Sequence, residues 1–441
     1  MVAALNRMKC QKIIKEQRGN IPPYFYRKTE GFILKKATLL VCMLGAGLLH
    51  IQSSFAAPLL TSQLSATQVA APQANAWVEI NVQTFEQNIQ TLQQQLQDKS
   101  QICAVMKADA YGHGIELLMP SIIKLNVPCV GITSNAEAAM VRKSGYQGRL
   151  LRLRAATDQE IQNAASLNME ELLGNYEQAQ RLYVWAKQQG LTLAYHLGLN
   201  AGGMDRNGLE LNSALGKQQA LRMTKLPNLK LVGIMTHYAV EDEKYVRERL
   251  AVFNQQTDWL IKKAKLKREA LTLHTANSFA TLTVPESHLD MVRAGGVIYG
   301  DSLPDRVEYK KLMTFKTQVA TVNTYLKGTT VGYDQTYTLK RDSLLANLPL
   351  GYSDGYRRAF SNKAYVLIRG HKVPVVGRTS MNTTMVDVTD FPDIRANDEV
   401  VLFGEQGGAI VKQSDLEEYN GALLADVYTM WGNSNPKVVV K

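Results

Sequence analysis

Ile102-Cys103-Ala104-Val105-Met106-Lys107-Ala108-Asp109-Ala110-Tyr111-Gly112-His113-Gly114 opens as an unbroken apolar run and ends in a polar turn punctuated by glycine. A run that is apolar at every position, rather than at alternate ones, is the pattern of a strand buried on both faces. Ile102–Lys107 is the first of eight such runs; Val127–Thr133, Arg149–Arg154, Met169–Gly174, Leu193–Leu199, Leu229–His237, Leu271–Thr275 and Met291–Arg293 follow. Amphipathic stretches lie between them, among them Ala136–Ser144, Tyr176–Gln189, Ala214–Thr224 and Val246–Lys265. Eight strand-then-helix units over roughly 230 residues match an α/β fold of the TIM-type (β/α)8 barrel class. A doubly wound open sheet gives a similar alternation, so periodicity alone leaves both architectures open. In either case Lys107 stands at the C-terminal end of a strand, where barrel active sites collect and where partial desolvation lowers the pKa of an amine. A strand-end lysine by itself is more often a side chain reaching for solvent.

Past Leu312 the texture changes. Thr317–Leu326, Ser343–Pro349, Ala364–Arg369, Lys372–Val376, Thr384–Val388 and Glu399–Phe403 are β-rich and separated by glycine turns, which predicts a mostly antiparallel β domain. The expected organisation is a leader over 1–56, a flexible lead-in over 57–75, a barrel over 76–310 and a β domain over 311–441. The strand around Trp77 is placed where it can pair with the C-terminal domain.

The formal charge of +11 over 441 residues is concentrated at the start of the chain, where residues 1–56 hold nine Lys or Arg against Glu16 and Glu30. The mild, dispersed excess that remains does not predict a nucleic-acid partner. Lys35-Lys36, the apolar run Ala37 to Leu49 and Ser54-Phe55-Ala56 stand in the order of a secretory signal peptide, with cleavage expected after Ala56 and no stable membrane anchor thereafter. Export to the periplasm is the expectation. After cleavage two cysteines remain, Cys103 and Cys129, and an even pair in an exported chain predicts one disulfide.

Val105-Met106-Lys107-Ala108-Asp109-Ala110-Tyr111-Gly112-His113-Gly114 resembles the cofactor-lysine motif of the alanine racemase family, and further motifs recur in that family's order from about Trp77 to Pro436. The resemblance implies a pyridoxal 5′-phosphate (PLP) barrel with a C-terminal β domain, and no metal. Lys107 would carry the cofactor as a Schiff base and act as the base on one face of the substrate Cα. Tyr111, in the same motif, would reach the cofactor phosphate. In Thr236-His237-Tyr238, His237 would stack on the pyridine ring. Asn277 and Ser278 of His274-Thr275-Ala276-Asn277-Ser278, with the Gly295-Gly296 turn, would cradle the phosphate. Arg293 would face the pyridine nitrogen and keep it unprotonated, a weak electron sink that suits clean racemisation. A racemase needs acid/base groups on both faces of Cα. By resemblance Tyr333, in Val331-Gly332-Tyr333, supplies the second from the partner subunit of a head-to-tail homodimer. Tyr352 would narrow the entrance and the Met381 backbone would contact the substrate carboxylate. Arg206 would contact both the cofactor's phenolic oxygen and that carboxylate.

The chain departs from a dedicated alanine racemase at several places. The family's lysine shortly before the arginine matched by Arg206, often carbamylated to orient it, is replaced by Gly198 or Leu199 in His196-Leu197-Gly198-Leu199-Asn200-Ala201-Gly202-Gly203-Met204-Asp205-Arg206. Asn200 is then the nearest candidate to hold Arg206. Arg152 and Arg154 add positive charge near the mouth and are expected to bind substrate. The tyrosine expected near Gly432 is absent, which leaves Tyr428 as the substitute phosphate ligand. These departures resemble the exported, broad-specificity branch of the family, whose free amino-acid substrates include Lys, Arg, Met, Ser and Ala. A dedicated alanine racemase is the first alternative. A basic amino-acid decarboxylase of the same architecture is weakened by the lack of a Gly-Gly-Gly loop and of a Cys-Asp pair in the β domain. A PLP carrier is weakened by retention of the whole β domain with Tyr333.

Overall fold

The apolar runs become strands because each supplies β-branched and aliphatic side chains to both faces of a sheet. The computed structural model describes residues 74–206, 208–301 and 306–441, so the expected leader and all but the end of the lead-in lie outside the described residues. The chain enters along β1 (Ala76–Asn81). The strands β2 (Gln101–Val105), β3 (Cys129–Ile132), β4 (Arg149–Arg152), β5 (Glu170–Leu173), β6 (Leu193–Gly198), β7 (Leu229–Met235), β8 (Thr272–His274) and β9 (Met291–Ala294) follow.

These last eight form one all-parallel sheet in the order β8-β7-β6-β5-β4-β3-β2-β9. The end strands meet through backbone bonds from Asp290 N to Leu273 O (3.1 Å) and from Arg293 N to Ala276 O (3.0 Å), which nearly closes the barrel. Sequential neighbours throughout and curling ends decide for a barrel over an open doubly wound sheet. Helices such as Tyr176–Gln188 and Glu243–Ala264 bury their apolar faces, Leu182, Phe253 and Leu260 among them, against the outside.

β1 is not a barrel strand. It pairs antiparallel with β10 (Met313–Gln318) and parallel with Lys437–Val440, in a sheet that continues through Glu399–Gln406, Tyr365–Ile368 and His371–Pro374. A second, three-stranded antiparallel sheet joins Thr321–Tyr325, Ser343–Leu348 and Thr384–Asp387. One core cluster runs from β2 and β9 into this domain through Phe315, Val400 and Trp431, so barrel and β domain share buried apolar surface. Trp431 is fully buried, stacked on Phe315 with ring centroids 5.0 Å apart, and its indole N–H donates to Gly355 O. That packing role accounts for a tryptophan in the segment where the resemblance led one to expect a phosphate-binding tyrosine.

Candidate active site

Lys107 follows β2 at the C-terminal mouth of the barrel, and the backbone beyond it does something the sequence does not announce. Ala108, Asp109, Ala110 and Tyr111 have φ of +54°, +53°, +55° and +56°, a left-handed turn made without glycine. Such a conformation costs roughly 1–2 kcal/mol per residue for L-amino acids and persists only where surroundings over-determine it. Three contacts do so: Ala108 N donates to Glu137 Oε1 (2.7 Å), Ile115 N donates to Asp109 Oδ1 (2.8 Å), and Lys437 Nζ pairs with Asp109 Oδ2 at 3.0 Å. Glu137 also accepts from Thr133 N and Ser134 N. It was missed as a site residue, although Ser134 with Glu137 three residues on is a capping-box signature visible in the sequence. Directly upstream, Cys103 and Cys129 are register partners across β2 and β3 and form the expected disulfide. The amine of Lys107 is held below the ordinary lysine range, chiefly by burial and then by Arg206 and Arg293, with Glu137 opposing.

The phosphate-type cradle is assembled from two barrel ends. Ser278 Oγ accepts from Gly295 N (3.2 Å) and Val297 N (3.3 Å). A Cβ at Gly295 would stand 2.5 Å from the Tyr111 hydroxyl, so the absence of a side chain is what lets that phenol reach the loop. Asn277 spends its side-chain oxygen on Ala280 N at 3.0 Å, capping the helix Ser278–Thr283, and Gly296 accepts from Asp301 N through its carbonyl.

Arg293 lies inside the barrel. Its Nη2 donates to Thr236 O, Thr275 O and His237 Nδ1 at 2.9, 2.9 and 3.1 Å, and its Nη1 donates to His274 Nδ1 at 3.0 Å. Burial lowers its pKa to about 10, so it stays cationic at neutral pH. Burial, with Arg293, Arg206 and Lys107 adding repulsion, pushes His237 down to about 3, and its imidazole is neutral. Arg206 is exposed on the loop after β6, close enough for its charge to bear on Lys107 and His237.

Four expectations need correction. Asn200 does not hold the Arg206 guanidinium: it hydrogen-bonds Asp205 and Glu210 and so braces the loop that carries it. Tyr428 donates its hydroxyl to Asp301 Oδ2 at 2.9 Å, and a phenol committed beside a carboxylate is a poor phosphate ligand. Arg152 is completely buried, with bonds to Glu171, Asn135 Oδ1 and Thr133 O, which leaves its guanidinium nothing to offer a substrate. Arg154 pairs with Glu160.

The β-domain residues form a separate group. Tyr333, in the loop between Thr330–Val331 and Tyr337–Thr338, is 63% exposed, Tyr352 is 40% exposed and Met381 is 54% exposed. The Arg358 guanidinium, whose Nε donates to Thr379 O, lies 5.9 Å from the Tyr333 ring centre and 5.8 Å from that of Tyr352. It is a cationic neighbour for Tyr333, which the sequence had not identified. Met381 accepts Ser353 N and Ser353 Oγ at its carbonyl. Among the described residues no hydrogen bond, ion pair or ring contact joins Tyr333, Tyr352 or Met381 to Lys107, Arg206 or Arg293, so within one chain the structure does not bring the two groups together.

Comparison with known proteins adds the following. Residues 80–303 match the family model described as the alanine racemase N-terminal domain, and 312–439 match the alanine racemase C-terminal domain. The chain is 58% identical over 402 residues to a broad specificity amino-acid racemase of Pseudomonas taetrolens, covering 91% of this chain and 98% of that one. It is 50% identical over 379 residues to a lysine racemase of Proteus mirabilis, covering 85% and 93%. Among solved structures, alanine racemase of Clostridium difficile 630 superposes with a TM-score of 0.77 at 28% identity, over 83% of this chain and 96% of that one.

Proposed function

The chain belongs to the alanine racemase family and is an amino-acid racemase of that PLP-dependent kind; from that premise we propose that it interconverts the L and D forms of free amino acids with a broad side-chain range, including Lys, Arg, Met, Ser and Ala. The observation that carries this reading is a desolvated amine at Lys107 sharing one barrel mouth with the buried cation Arg293, held through both of its terminal nitrogens.

The donor set fits PLP. Lys107 offers the amine for covalent attachment, the Ser278 hydroxyl with the Gly295 and Val297 N–H groups and the Tyr111 phenol suit a phosphate, and Arg293 offers a cationic donor to a ring nitrogen. When bound, the cofactor delocalises negative charge from the substrate Cα, which makes the Cα proton removable. The protein's own residues then handle that proton. Lys107, its pKa lowered chiefly by burial, removes or returns it on one face. Tyr333 does the same on the other face, and because it lies exposed on the β domain of its own chain, we assign it to the site of a second copy in a head-to-tail homodimer. The Arg358 guanidinium lies beside its ring, 5.9 Å from the ring centre. Arg206 takes the substrate carboxylate.

Breadth of substrate draws on the glycine-containing loop 198–206, where the family's bulky lysine is missing, and on the names of the relatives. Export to the periplasm, through cleavage after Ala56, draws on the signal-like order of residues 35–56 and on a Cys103–Cys129 disulfide that an oxidising compartment preserves. No helix among the described residues is long and apolar enough to cross a membrane.

The deciding experiment is chiral chromatography of products from L-Lys, L-Arg, L-Met, L-Ser and L-Ala with PLP-loaded protein. Comparable kcat/KM for several of them is expected. Activity confined to alanine would return the chain to a dedicated alanine racemase, and carbon dioxide release from lysine would make it a decarboxylase.

A further inference from the structure

Beneath Arg293 a line of hydrogen bonds descends through the barrel interior to its opposite end. His274 Nδ1 faces Arg293 Nη1 at 3.0 Å, His274 Nε2 faces His196 Nδ1 at 2.8 Å, and His196 Nε2 faces Glu170 Oε2 at 2.8 Å. Glu170 opens β5, so it sits at the N-terminal rim, away from the mouth, where Arg149 also pairs with it through Nη2 at 2.9 Å. Both histidines are fully buried. Room for their contact comes from Gly233 on the neighbouring strand, where a Cβ would fall 2.2 Å from His196 Nδ1.

The chemistry of the two ends sets the direction of the whole line. Arg293 can only donate, so His274 Nδ1 must accept and its single proton must sit on Nε2. That proton is donated to His196 Nδ1, which forces the His196 proton onto Nε2, and there a carboxylate, which can only accept, receives it. Reversing the line would set N–H against N–H at Arg293 and lone pair against lone pair at Glu170. Burial holds both imidazoles neutral. Burial opposes the Glu170 charge, but the bonds from His196 and Arg149 outweigh it and hold its pKa down to about 2. Arg149 Nη2 approaches His196 Nε2 only at 3.5 Å, too far to compete with the carboxylate.

We propose that Glu170, His196 and His274 are positioning residues for Arg293: a one-way donor line, closed by a carboxylate at the far rim of the barrel, that fixes which groups Arg293 bonds and so how it faces the cofactor. Arg293 is a buried guanidinium with no carboxylate among its hydrogen-bond partners in the described residues, and the two histidines connect it to one. Its Nε–H, for which the described residues provide no partner, is thereby left for the cofactor ring nitrogen. The inference rests on the PLP reading above for its functional half and on the hydrogen-bond geometry for its structural half.

The test uses the whole protein with 15N-labelled histidine, without and with PLP. Nitrogen–proton NMR of the wild type is expected to show His196 and His274 as neutral Nε2–H tautomers from about pH 7 to 9. Glu170→Gln puts an amide that can donate as well as accept at the end of the line, so reversal no longer strands the far end and costs only the Arg293–His274 bond, whose loss frees Arg293 to turn. It is expected to lose the uniform tautomer, shift the absorbance maximum of bound PLP and lower kcat about tenfold to a hundredfold with KM for L-Lys within about twofold. Glu170→Asp, still only an acceptor, is expected to restore the tautomer and most of kcat. An Nδ1–H or doubly protonated form of either histidine in the wild type overturns the proposal. So does Glu170→Gln with altered tautomers but unaltered absorbance and kcat, which would reduce the line to barrel packing. If Glu170→Gln does not fold, the wild-type tautomers and Glu170→Asp decide. Correct tautomers in a wild type that racemises nothing would support the line and defeat the racemase reading alone.

Discussion

Arg293 and Tyr333 carry comparable weight in the proposed chemistry, yet the chain treats them oppositely. Arg293 is 5% exposed and bonded to two carbonyls and two imidazoles, while Tyr333 is 63% exposed on a short hairpin loop with Arg358 lying across its ring. The barrel half of the site is finished within one chain and preorganised, so little reorganisation is needed when charge develops nearby. The β-domain half is presented outward, as expected of a group that works in another subunit's mouth. On the proposed reading a single polypeptide builds one completed half-site and one exposed half-site.

The contrast breaks first at Lys107. Lys107→Ala should abolish the PLP absorbance of the loaded protein and cut turnover about ten-thousandfold or more in both directions; spectra and chiral assays check it, and residual activity within tenfold of wild type would remove the barrel half from the chemistry. Tyr333→Phe should cost about a hundredfold to ten-thousandfold. Unlike Lys107→Ala, it should leave the cofactor spectrum intact and slow the L-to-D and D-to-L directions unequally. Equal losses with unchanged Cα isotope effects would dismiss it as the second base.

Three smaller effects concern stability rather than turnover. Glu171→Ala strands the Arg152 guanidinium in the interior, and loss of one partner of a buried pair costs about 3–5 kcal/mol in unfolding experiments. KM for L-Lys at a permissive temperature should stay unchanged, because Arg152 is structural. Cys103→Ser should cost roughly 3 kcal/mol, since the disulfide closes a loop with a sequence separation of 26. Non-reducing mass spectrometry that found both thiols free would remove that bond. Least of all, Arg154→Ala should change stability by under about 1 kcal/mol and KM by less than about twofold, since its pair with Glu160 is partly solvated. A larger KM change would restore it to the substrate set.

Much of this was legible before any coordinates. Eight continuous apolar runs, the change of texture after Leu312, and Lys107 at a strand end are local patterns, and local patterns survive in a sequence because each residue's facing depends on its immediate neighbours. The motif at Val105–Gly114 was likewise readable, together with Ser278, Gly295 and Arg293, as an ordered set that the structure gathers at one barrel mouth. The failures share a different origin. Arg152, Arg154 and Tyr428 are chemically suited to anions, and only the positions of Glu171, Glu160 and Asp301 reveal that their donors are already engaged.

What the sequence determined by itself is therefore a run of eight strand-then-helix units with an appended β domain, the cysteine pair and a lysine at a strand end. Tertiary structure alone decided that the sheet curls nearly closed, that Ala108–Tyr111 turns left-handed without a glycine, and that His196 and His274, 78 residues apart, meet end to end beneath Arg293. The physical reason is range: periodicity is a property of adjacent residues, whereas strain is held and protons are directed by partners that strand register brings together from distant parts of the chain.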